Sequence, residues 1–314
     1  MLRYTAKRLA LLLPLLFGLS ILVFLYIHAV PGDPVQAMMG SSGNQELVQQ
    51  VREEFGLTRP LQVQYLDWLN KLVHGDLGVM FRSRQPIAPF LLARIPATLE
   101  LAFGGLVIAL LAGLPSGIAA GLNKNTRFDY IFSIVTLGGY SMPVFWTGTL
   151  MLLLLGVRWQ LLPSQGYVPF GQDPLGNLKH LVMPALTLGI GLAPYIGRMA
   201  RAAVVETLQE TFVTFSRAKG LKESVIFWRY VLRHAVNSII VVLGLNIGFL
   251  LSGQVIVEEL FNWPGAGRVV VRAVLERDYF LVQAAVLIYA LVFLLINLLV
   301  ELLHAWLDPR MQLE

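Results

Sequence analysis

Long apolar segments alternate with polar stretches along the whole chain, and six of them are long enough to be membrane spans. A helix needs roughly 20 apolar residues to cross the hydrocarbon core of a bilayer. The qualifying segments are Leu9–Val30, Leu99–Leu122, Tyr130–Val157, Leu181–Gly197, Val236–Val257 and Leu281–Leu303. The fourth is the shortest and contains Gly189, Gly191 and Pro194, so the pattern leaves its lower end open. The pattern predicts an all-α integral membrane protein with six transmembrane helices.

Composition agrees with this pattern. Hydrophobic residues make up 56% of the chain and charged residues 14%, whereas a soluble domain carries about 25% charged residues. The absence of cysteine excludes disulfides, thiol catalysis and cysteine-ligated metal. The first span is too long for the apolar region of a signal peptide and carries Pro14, and no small-residue cleavage site follows it, so we interpret it as a retained helix.

Positive charges are distributed unevenly between the polar stretches, which predicts the orientation of the spans. One set of stretches carries Arg3, Lys7, Arg8, Lys124, Arg127, Arg198, Arg201, Arg217, Lys219, Lys222, Arg229 and Arg233. The short stretches that alternate with them carry Arg158, Lys179, Arg268, Arg272 and Arg277. We therefore expect both termini in the cytoplasm and the long first loop, Pro31–Pro96, on the outer side.

The first loop has helical periodicity of its own. In "ELVQQVREEFGL", Leu47, Val51 and Phe55 share one helical face, and "LQVQYLDWLNKLVHGDLG" repeats such a pattern until Gly75. "VPGDP" predicts a turn before these helices. We expect a small helical insert on the outer face rather than a merely solvated linker.

A second polar stretch, residues 258–280, mixes charges with aromatic residues around "WPGAG". This sequence predicts a tight turn at the membrane surface, with Trp263 in the interfacial aromatic belt. A structural hairpin between two helices and the external mouth of a pathway are equally compatible with it.

The centres of the six segments contain no Asp, Glu, Lys or Arg. Buried ionisable residues mark proton relays and ion coupling, so their absence argues against a proton-driven carrier. The chain also lacks HExxH and the GxxxxGK[ST] phosphate loop, so we expect no metal protease site and no ATP site of that type. We expect no catalytic residue, no metal site and no cofactor bound by this chain.

A basic insert, residues 204–235, lies between the fourth and fifth segments. Val204, Val205, Leu208, Phe212 and Phe215 predict an apolar helical stripe that continues from the fourth span. Gly220 then suits the left-handed conformation of a helix end. A second amphipathic run has Ile226, Phe227, Tyr230 and Val231 on one side. The residues alone leave two alternatives open: a helix pair lying on anionic lipid, and a docking site for a soluble partner.

The insert resembles the cytoplasmic coupling loop of ABC importer permeases: a helix leads to "RAKG", and a second helix ends in "LRHA". The resemblance extends over nearly the whole chain and is specific to the first permease subunit of the peptide and nickel uptake family. It rests on pieces in family order, among them "VPGDPV", "FGLTRPLQVQYLDWL", "HGDLG", "PATLELA", "GLPSGIAAG", "YSMPVFW", "LLPSQGY", "LVMPALTLG", "SRAKGL", "FNWPGAGR", "RDYFLVQA" and "NLLVELLHAWLDPR". The chain departs from the family pattern at Thr214–Ser216, at Arg233, at Phe280 and at Glu301.

The resemblance implies a type I ABC importer permease that forms half of a translocation pathway by alternating access. Implied partners are a second homologous permease, two ATPase subunits that bind ATP and magnesium, a substrate-binding protein on the outer face, and the surrounding lipid. The implied location is the bacterial inner membrane. The segments would be a first span (1–30), an outer helical loop (31–96) and a permease core (97–314) containing the coupling loop 204–235.

Two groups of residues are the candidate sites that the resemblance implies. The coupling loop would act through Phe212, Thr214, Phe215, Ser216, Arg217, Ala218, Lys219, Gly220, Leu221, Lys222 and Glu223. The outer gate or contact with the binding protein would involve Phe261, Asn262, Trp263, Pro264, Gly265, Gly267 and Arg268. The cargo would be a di- or oligopeptide, with nickel, glutathione and metal–chelator complexes as alternatives within the family. A stand-alone carrier or channel is the alternative from another class.

Overall fold

The computed structural model describes residues 2–29, 35, 45–81, 83–235, 250 and 253–307. All regular secondary structure among them is helical, apart from an isolated bridge between Val79 and Pro86. The helices are α1 Leu2–Ala29, α2 Gln45–Glu54, α3 Leu61–Val73, α4 Ile87–Leu92, α5 Ile95–Leu122, α6 Arg127–Ser141, α7 Val144–Met151, α8 Pro174–Leu208, α9 Thr211–Ala218, α10 Glu223–Ile226, α11 253–260, α12 Ala266–Leu275 and α13 Tyr279–Leu307. π-Helical turns extend α7 over Leu152–Arg158 and α10 over Phe227–Val231. The all-α prediction is confirmed for the described residues.

Within the described part of the chain, four helices are long and apolar enough to cross a membrane: Arg8–Ala29, Ile87–Leu122, Pro174–Leu208 and Tyr279–Leu302. They coincide with the first, second, fourth and sixth predicted spans. The fifth predicted span, Val236–Val257, lies for the most part outside the described residues.

The third predicted span, Tyr130–Val157, is not one continuous helix. Helix α6 and the helix Val144–Arg158 meet at an angle of 96° and would together make a fifth span. Met142 between them is extended, with φ −80° and ψ 123°. Pro143 explains the break, because it lacks a backbone N–H and its ring disfavours the helical conformation for the residue before it. A hydropathy pattern does not register such a bend.

Helix α8 is longer than the predicted fourth span and contains 35 residues. Asp173 caps its N-terminus, and the carboxylate accepts hydrogen bonds from the backbone N–H groups of Leu175 and Gly176 at 3.1 and 3.0 Å. The helix continues through Pro184 and Pro194. Proline is tolerated in membrane helices because neighbouring groups satisfy the freed carbonyls, so the Gly/Pro-rich stretch does not end the helix.

The chain divides into two compact units, and the first consists of the described parts of Thr98–Pro264 and Leu295–Glu314. Glycines bring α5 and α8 into close contact in this unit. A Cβ at Gly113 would lie 2.7 Å from the carbonyl oxygen of Ala193, and one at Gly117 would overlap the carbonyl oxygen of Gly197. Small residues of this kind let membrane helices pack backbone against backbone.

The second unit consists of the described parts of Leu2–Ala97 and Gly265–Leu294. Its core joins the end of α1 to α4, α12 and the start of α13, and its buried members are Val23, Ile27, Leu77, Met80, Ile87, Leu91, Val269, Ala273, Leu281, Val282, Ala284 and Ala285. The predicted helices of the first loop are present as α2 and α3. Val51 is buried in a smaller cluster with Phe81, and Gly75 ends the second helical segment with φ +78°. The predicted "VPGDP" turn lies outside the described residues.

Candidate functional site

The basic insert forms a helical knob, residues 211–231, after the end of α8. Its apolar side chains pack against the last turns of α8. The buried members of this cluster are Ala200, Ala203, Val204, Val213, Ile226, Val231 and Ala235. Leu114 and Ile118 of α5 pack against the same cluster. The knob is therefore attached through apolar contacts to two of the long helices of its unit.

Gly220 forms the turn between the two short helices of the knob, as the sequence predicts. Its φ is +74°. The N–H of Gly220 bonds to the carbonyl of Arg217 at 2.9 Å, and the N–H of Leu221 bonds to that of Ser216 at 3.3 Å. This pair of bonds is a Schellman motif, which favours glycine in the left-handed position. The turn is a defined structural element rather than a loose connection.

The turn exposes a continuous surface. Nine of the eleven candidate coupling residues are exposed, namely Thr214, Phe215, Arg217, Ala218, Lys219, Gly220, Leu221, Lys222 and Glu223. Phe212 is half-buried, and Ser216 is buried with its hydroxyl donating to the carbonyl of Phe212 at 2.7 Å. The Lys219 ammonium lies 4.4 Å from the centroid of the Phe215 ring. The exposed surface therefore combines an aromatic ring, an aliphatic side chain and basic groups.

One part of the predicted stripe is wrong. Phe215 does not continue the apolar face of α8; its side chain is 59% exposed, and Val213 is buried instead. The reason is the interruption at Gln209 and Glu210, after which α9 starts a new helix at Thr211. A break in the helix changes the angular position of all later residues, which a continuous 3.6-residue period does not anticipate.

Arg217 and Glu223 join the two sides of the turn. The guanidinium donates to both carboxylate oxygens, at 2.7 and 3.2 Å. The hydrogen bond holds the pKa of Glu223 below its usual range and raises the pKa of Arg217. Because the carboxylate pKa is lowered, the pair is intact at neutral pH and is lost only as the pH falls through that pKa. Arg217 thus has a partner within the knob, while Lys219 lies on the exposed face.

A buried ion pair lies between α6 and α8. Arg201 donates to Asp129 through Nε to Oδ1 and through a terminal nitrogen to Oδ2, the latter at 2.7 Å. The side chain of Asp129 is 4% exposed, and its carboxylate also accepts from the N–H of Asn125 at 2.9 Å. Arg201 stands one turn from Val204, which packs in the knob cluster. A role for Asp129 was not predicted from the sequence, because the pairing joins residues 72 positions apart.

The second candidate site begins at the end of α11. Asn262 has φ +55°, and the N–H of Trp263 bonds to the carbonyl of Glu258 at 2.8 Å, so the helix ends in a left-handed turn. Trp263 is fully buried, with its ring edge-on to Tyr167 at 4.7 Å. The expected position of Trp263 in the interfacial belt is therefore wrong. Of Phe261, Asn262, Trp263 and Pro264, Asn262 is the exposed side chain.

The remaining residues of this candidate site belong to the second unit. Gly265 precedes α12, and Gly265 and Gly267 are buried while Arg268 is half-buried. The α12 helix was not anticipated as a separate element. A role of residues 261–268 in contacts with a partner stays a prediction, and Asn262 offers the most accessible side chain for it.

Polar clusters that the sequence did not reveal lie near the start of α5. Glu258 is fully buried and accepts from the Thr98 hydroxyl at 2.9 Å and the Gln254 amide at 3.2 Å. It belongs to α11, whereas the sequence placed it in a loop. Gln254 and Glu258 are four residues apart, so helical periodicity could have predicted their contact. The contact of Glu258 with Thr98 has no such signal in the sequence.

Glu100 forms a neighbouring cluster of its own. It accepts from Asn177 at 2.5 Å and from the Tyr167 hydroxyl at 3.1 Å. Burial, together with the nearby charge of Glu100, raises the pKa of Tyr167 to about 12. The hydroxyl therefore remains a donor at neutral pH, and it connects residues 159–173 to α5.

Two family models match the chain. Residues 113–313 match the binding-protein-dependent transport system inner membrane component, and residues 1–102 match the N-terminal region of such membrane components. The chain is 36% identical to the dipeptide transport system permease protein DppB of Escherichia coli strain K12, over 99% of each chain. It is also 36% identical to the glutathione transport system permease protein GsiC of the same strain, again over 99% of each chain.

A solved structure has the same fold over most of the chain. The MetNI methionine ABC transporter, in inward-facing conformations, matches with a TM-score of 0.59 at 17% identity, covering 70% of this chain and 96% of that one. At this identity the likeness concerns the fold alone. Together with the family matches, it shows that the chain belongs to the family of binding-protein-dependent transport system inner membrane components, as a multi-pass permease subunit of the ABC importer type.

Proposed function

We propose that the chain forms half of the translocation pathway of an ATP-driven importer of di- and oligopeptides. The full-length similarity to a dipeptide permease and to a glutathione permease supports a peptide cargo, since glutathione is itself a tripeptide. The knob around Gly220 is the observation that carries the proposed mechanism. It is exposed at its tip, ordered by its own hydrogen bonds, and packed at its base against α5 and α8.

The proposed role of the knob is to receive force from an ATPase subunit. The exposed face would dock in a cleft of the ATPase, with Phe215 and Leu221 as apolar contacts and Lys219 and Lys222 as basic ones. When the ATPases close on ATP, the knob would move with them. Its apolar base would pass the motion to α8, and the Asp129–Arg201 pair would pass it to α6. The chain's coupling residues would therefore transmit motion and perform no chemistry.

The proposed topology has six spans, both termini in the cytoplasm, and the helices α2 and α3 on the outer face. A second permease would complete the pathway, and a binding protein would deliver cargo near residues 261–268. ATP and magnesium would be bound by the ATPase subunits, and this chain would bind no cofactor. The distribution of Lys and Arg along the sequence supports this orientation.

Uptake of a radiolabelled dipeptide by cells that lack the chromosomal copy tests this proposal. Restoring the chain should restore uptake, and an ATPase subunit with an inactive phosphate loop should abolish it. Uptake that persists without any ATPase would contradict the importer and favour a stand-alone carrier.

Glutathione is the second candidate cargo, because the similarity to the glutathione permease equals that to the dipeptide permease. Competition between unlabelled glutathione and the labelled dipeptide in the same cells separates the two cargoes. If the dipeptide is the cargo, glutathione should compete poorly for uptake, and the reverse result would assign glutathione.

A further inference from the structure

The second unit contains a cavity of about 500 Å³ that the coupling and gating residues do not touch. It is lined by the end of α1, by α2 and α3 with the residues after them, and by the start of α13. Cavities of roughly 300–1,000 Å³ are typical of sites for small molecules. Its size therefore suits a ligand such as a short peptide.

Gln283 is the most informative residue of this cavity. It lines the cavity, is only 3% exposed, and its side-chain amide makes no hydrogen bond with any other described residue. Among the described residues, the buried side-chain atom without a partner is Oε1 of Gln254, so the amide of Gln283 is not sealed in the protein but is accessible from the cavity. A ligand with a complementary peptide group would satisfy both the donor and the acceptor of this amide.

Two other polar residues of the lining, Gln64 and His28, are already engaged. The Gln64 amide nitrogen donates to the carbonyls of Leu57 and Arg59, at 3.2 and 2.7 Å. Its oxygen lies 3.3 Å from Nε2 of His28, whose Nδ1 lies 2.8 Å from the carbonyl of Phe24. These bonds fix the wall of the cavity, and the amide of Gln283 is free of them and available to a ligand.

Aromatic side chains form two of the walls. Phe24 stacks with Trp68 at 6.1 Å between ring centroids, and Phe55 stacks with Phe280 at 5.2 Å. All four residues line the cavity. Such walls favour a ligand that carries an apolar or aromatic side chain.

Charged groups of both signs surround these walls. Arg59 pairs with Asp67 at 2.7 Å and Arg84 with Glu54 at 2.8 Å. Lys71 and Asp76 form no ion pair within the described part of the chain, although Asp76 accepts from the N–H of Gly78 at 2.8 Å. Both side chains are exposed at the edge of the cavity, where a cation and an anion suit a ligand that has both a carboxylate and an ammonium group.

We infer that this cavity is a binding site for a short zwitterionic peptide with an apolar side chain. The peptide carboxylate would face Lys71, its ammonium group Asp76, its amide Gln283, and its side chain the aromatic walls. The inference rests on the proposed function for the outer location of the cavity and for the peptide as cargo. The site would hold a peptide without help from the binding protein, before the peptide enters the pathway.

Binding of radiolabelled alanyl-phenylalanine to the purified full-length chain in lipid nanodiscs, with no binding protein present, tests the inference. Gln283→Leu should weaken binding by about tenfold, because it removes a polar contact of a buried side chain. Lys71→Gln should weaken binding by about threefold, because Lys71 is exposed and solvent screens its charge. The matched controls are Gln62→Leu and Lys179→Gln, which alter exposed residues outside the cavity. The same peptide with an acetylated amino end and an amidated carboxyl end should bind at least about tenfold more weakly, because it lacks both charges.

No saturable binding to the wild-type chain would overturn the inference, and so would equal binding by the cavity variants or by the blocked peptide. None of these results bears on the importer itself, because dipeptide uptake by the whole complex is measured separately. If the uptake experiment fails while the purified chain still binds the dipeptide through Gln283 and Lys71, the site stands and the proposed function falls.

Discussion

At Gly220 the backbone has φ +74°, and no atom lies within 4 Å of the place that a Cβ would occupy. Substitutions there change the backbone preference of the turn without a steric clash. The sequence predicted this conformation because glycine after a basic helical turn is a common helix end. It did not predict that Phe215 is exposed, because the interruption at Gln209 leaves no signature in apolar spacing.

The rate of transport should decrease from the wild-type chain through Gly220→Asn and Gly220→Ala to Gly220→Pro. Asparagine tolerates the left-handed region, alanine costs about 1 kcal/mol there, and proline also removes the N–H that bonds to Arg217. The measurement is dipeptide uptake normalised to the amount of inserted chain. Gly171→Ala is the control, because Gly171 has open space and no positive φ. Wild-type uptake by Gly220→Pro would contradict the coupling role.

The Arg217–Glu223 pair can be separated from the docking surface by charge reversal. Arg217→Glu and Glu223→Arg should each loosen the turn, and the double variant should restore the ion pair. Lys219→Glu should weaken recovery of the ATPase and leave the turn intact, because Lys219 has no carboxylate partner in the described residues. The readout is the amount of ATPase that co-purifies with each variant. Unchanged recovery with Lys219→Glu would favour a knob that lies on lipid.

At the scale of elements, the length and periodicity of the apolar segments predicted where the long helices lie, but not how the helices bend or approach each other. The bend at Pro143 and the continuation of α8 through Pro184 and Pro194 both involve proline, and the sequence alone does not separate these outcomes. The contact of α5 with α8 depends on glycines whose partners lie about eighty residues away. Such contacts arise from tertiary packing and have no local signature.

Gly117→Ala should destabilise the protein by about 1–3 kcal/mol, because the added methyl group overpacks a helix contact. A Cβ at Gly117 would overlap the carbonyl oxygen of Gly197, so α5 and α8 would have to separate. Gly138→Ala is a matched control in another span, where no atom lies within 4 Å of the added carbon. Thermal unfolding of the detergent-solubilised chain measures the difference. Equal midpoints for the two variants would contradict the glycine contact.

Asp129→Asn should destabilise the chain by about 2 kcal/mol, because it removes two charge-assisted hydrogen bonds from the Arg201 guanidinium, whose side chain is partly buried. The pair Arg59–Asp67 is a control of the same chemistry at an exposed position, and Asp67→Asn should cost less than about 1 kcal/mol. The same thermal unfolding assay applies.

The Asp129–Arg201 pair is also proposed to pass motion from the knob to α6. If it does, ATP turnover by the assembled complex should become less dependent on the binding protein in Asp129→Asn.

For the whole molecule, composition and the order of the sequence pieces predicted a membrane-embedded importer permease, and the family matches confirm it. The buried clusters around Glu258, Glu100 and Asp129 escaped prediction, because each joins residues that are distant in sequence. The cavity that contains Gln283 escaped for the same reason. Local pattern therefore predicted a membrane protein and the position of the knob, and the resemblance to the family implied the importer permease. The internal polar contacts required the folded chain.

The central claim is that the knob docks on an ATPase, and a single crosslinking site tests it most directly. The chain has no cysteine, so Lys219→Cys introduces a unique attachment point for a photoreactive group at the exposed tip. In native membranes it should give an adduct with a phosphate-loop ATPase, whereas Leu175→Cys, exposed near the other end of α8, should not. Adducts with lipid alone from Lys219→Cys, or the same ATPase adduct from both positions, would contradict the account.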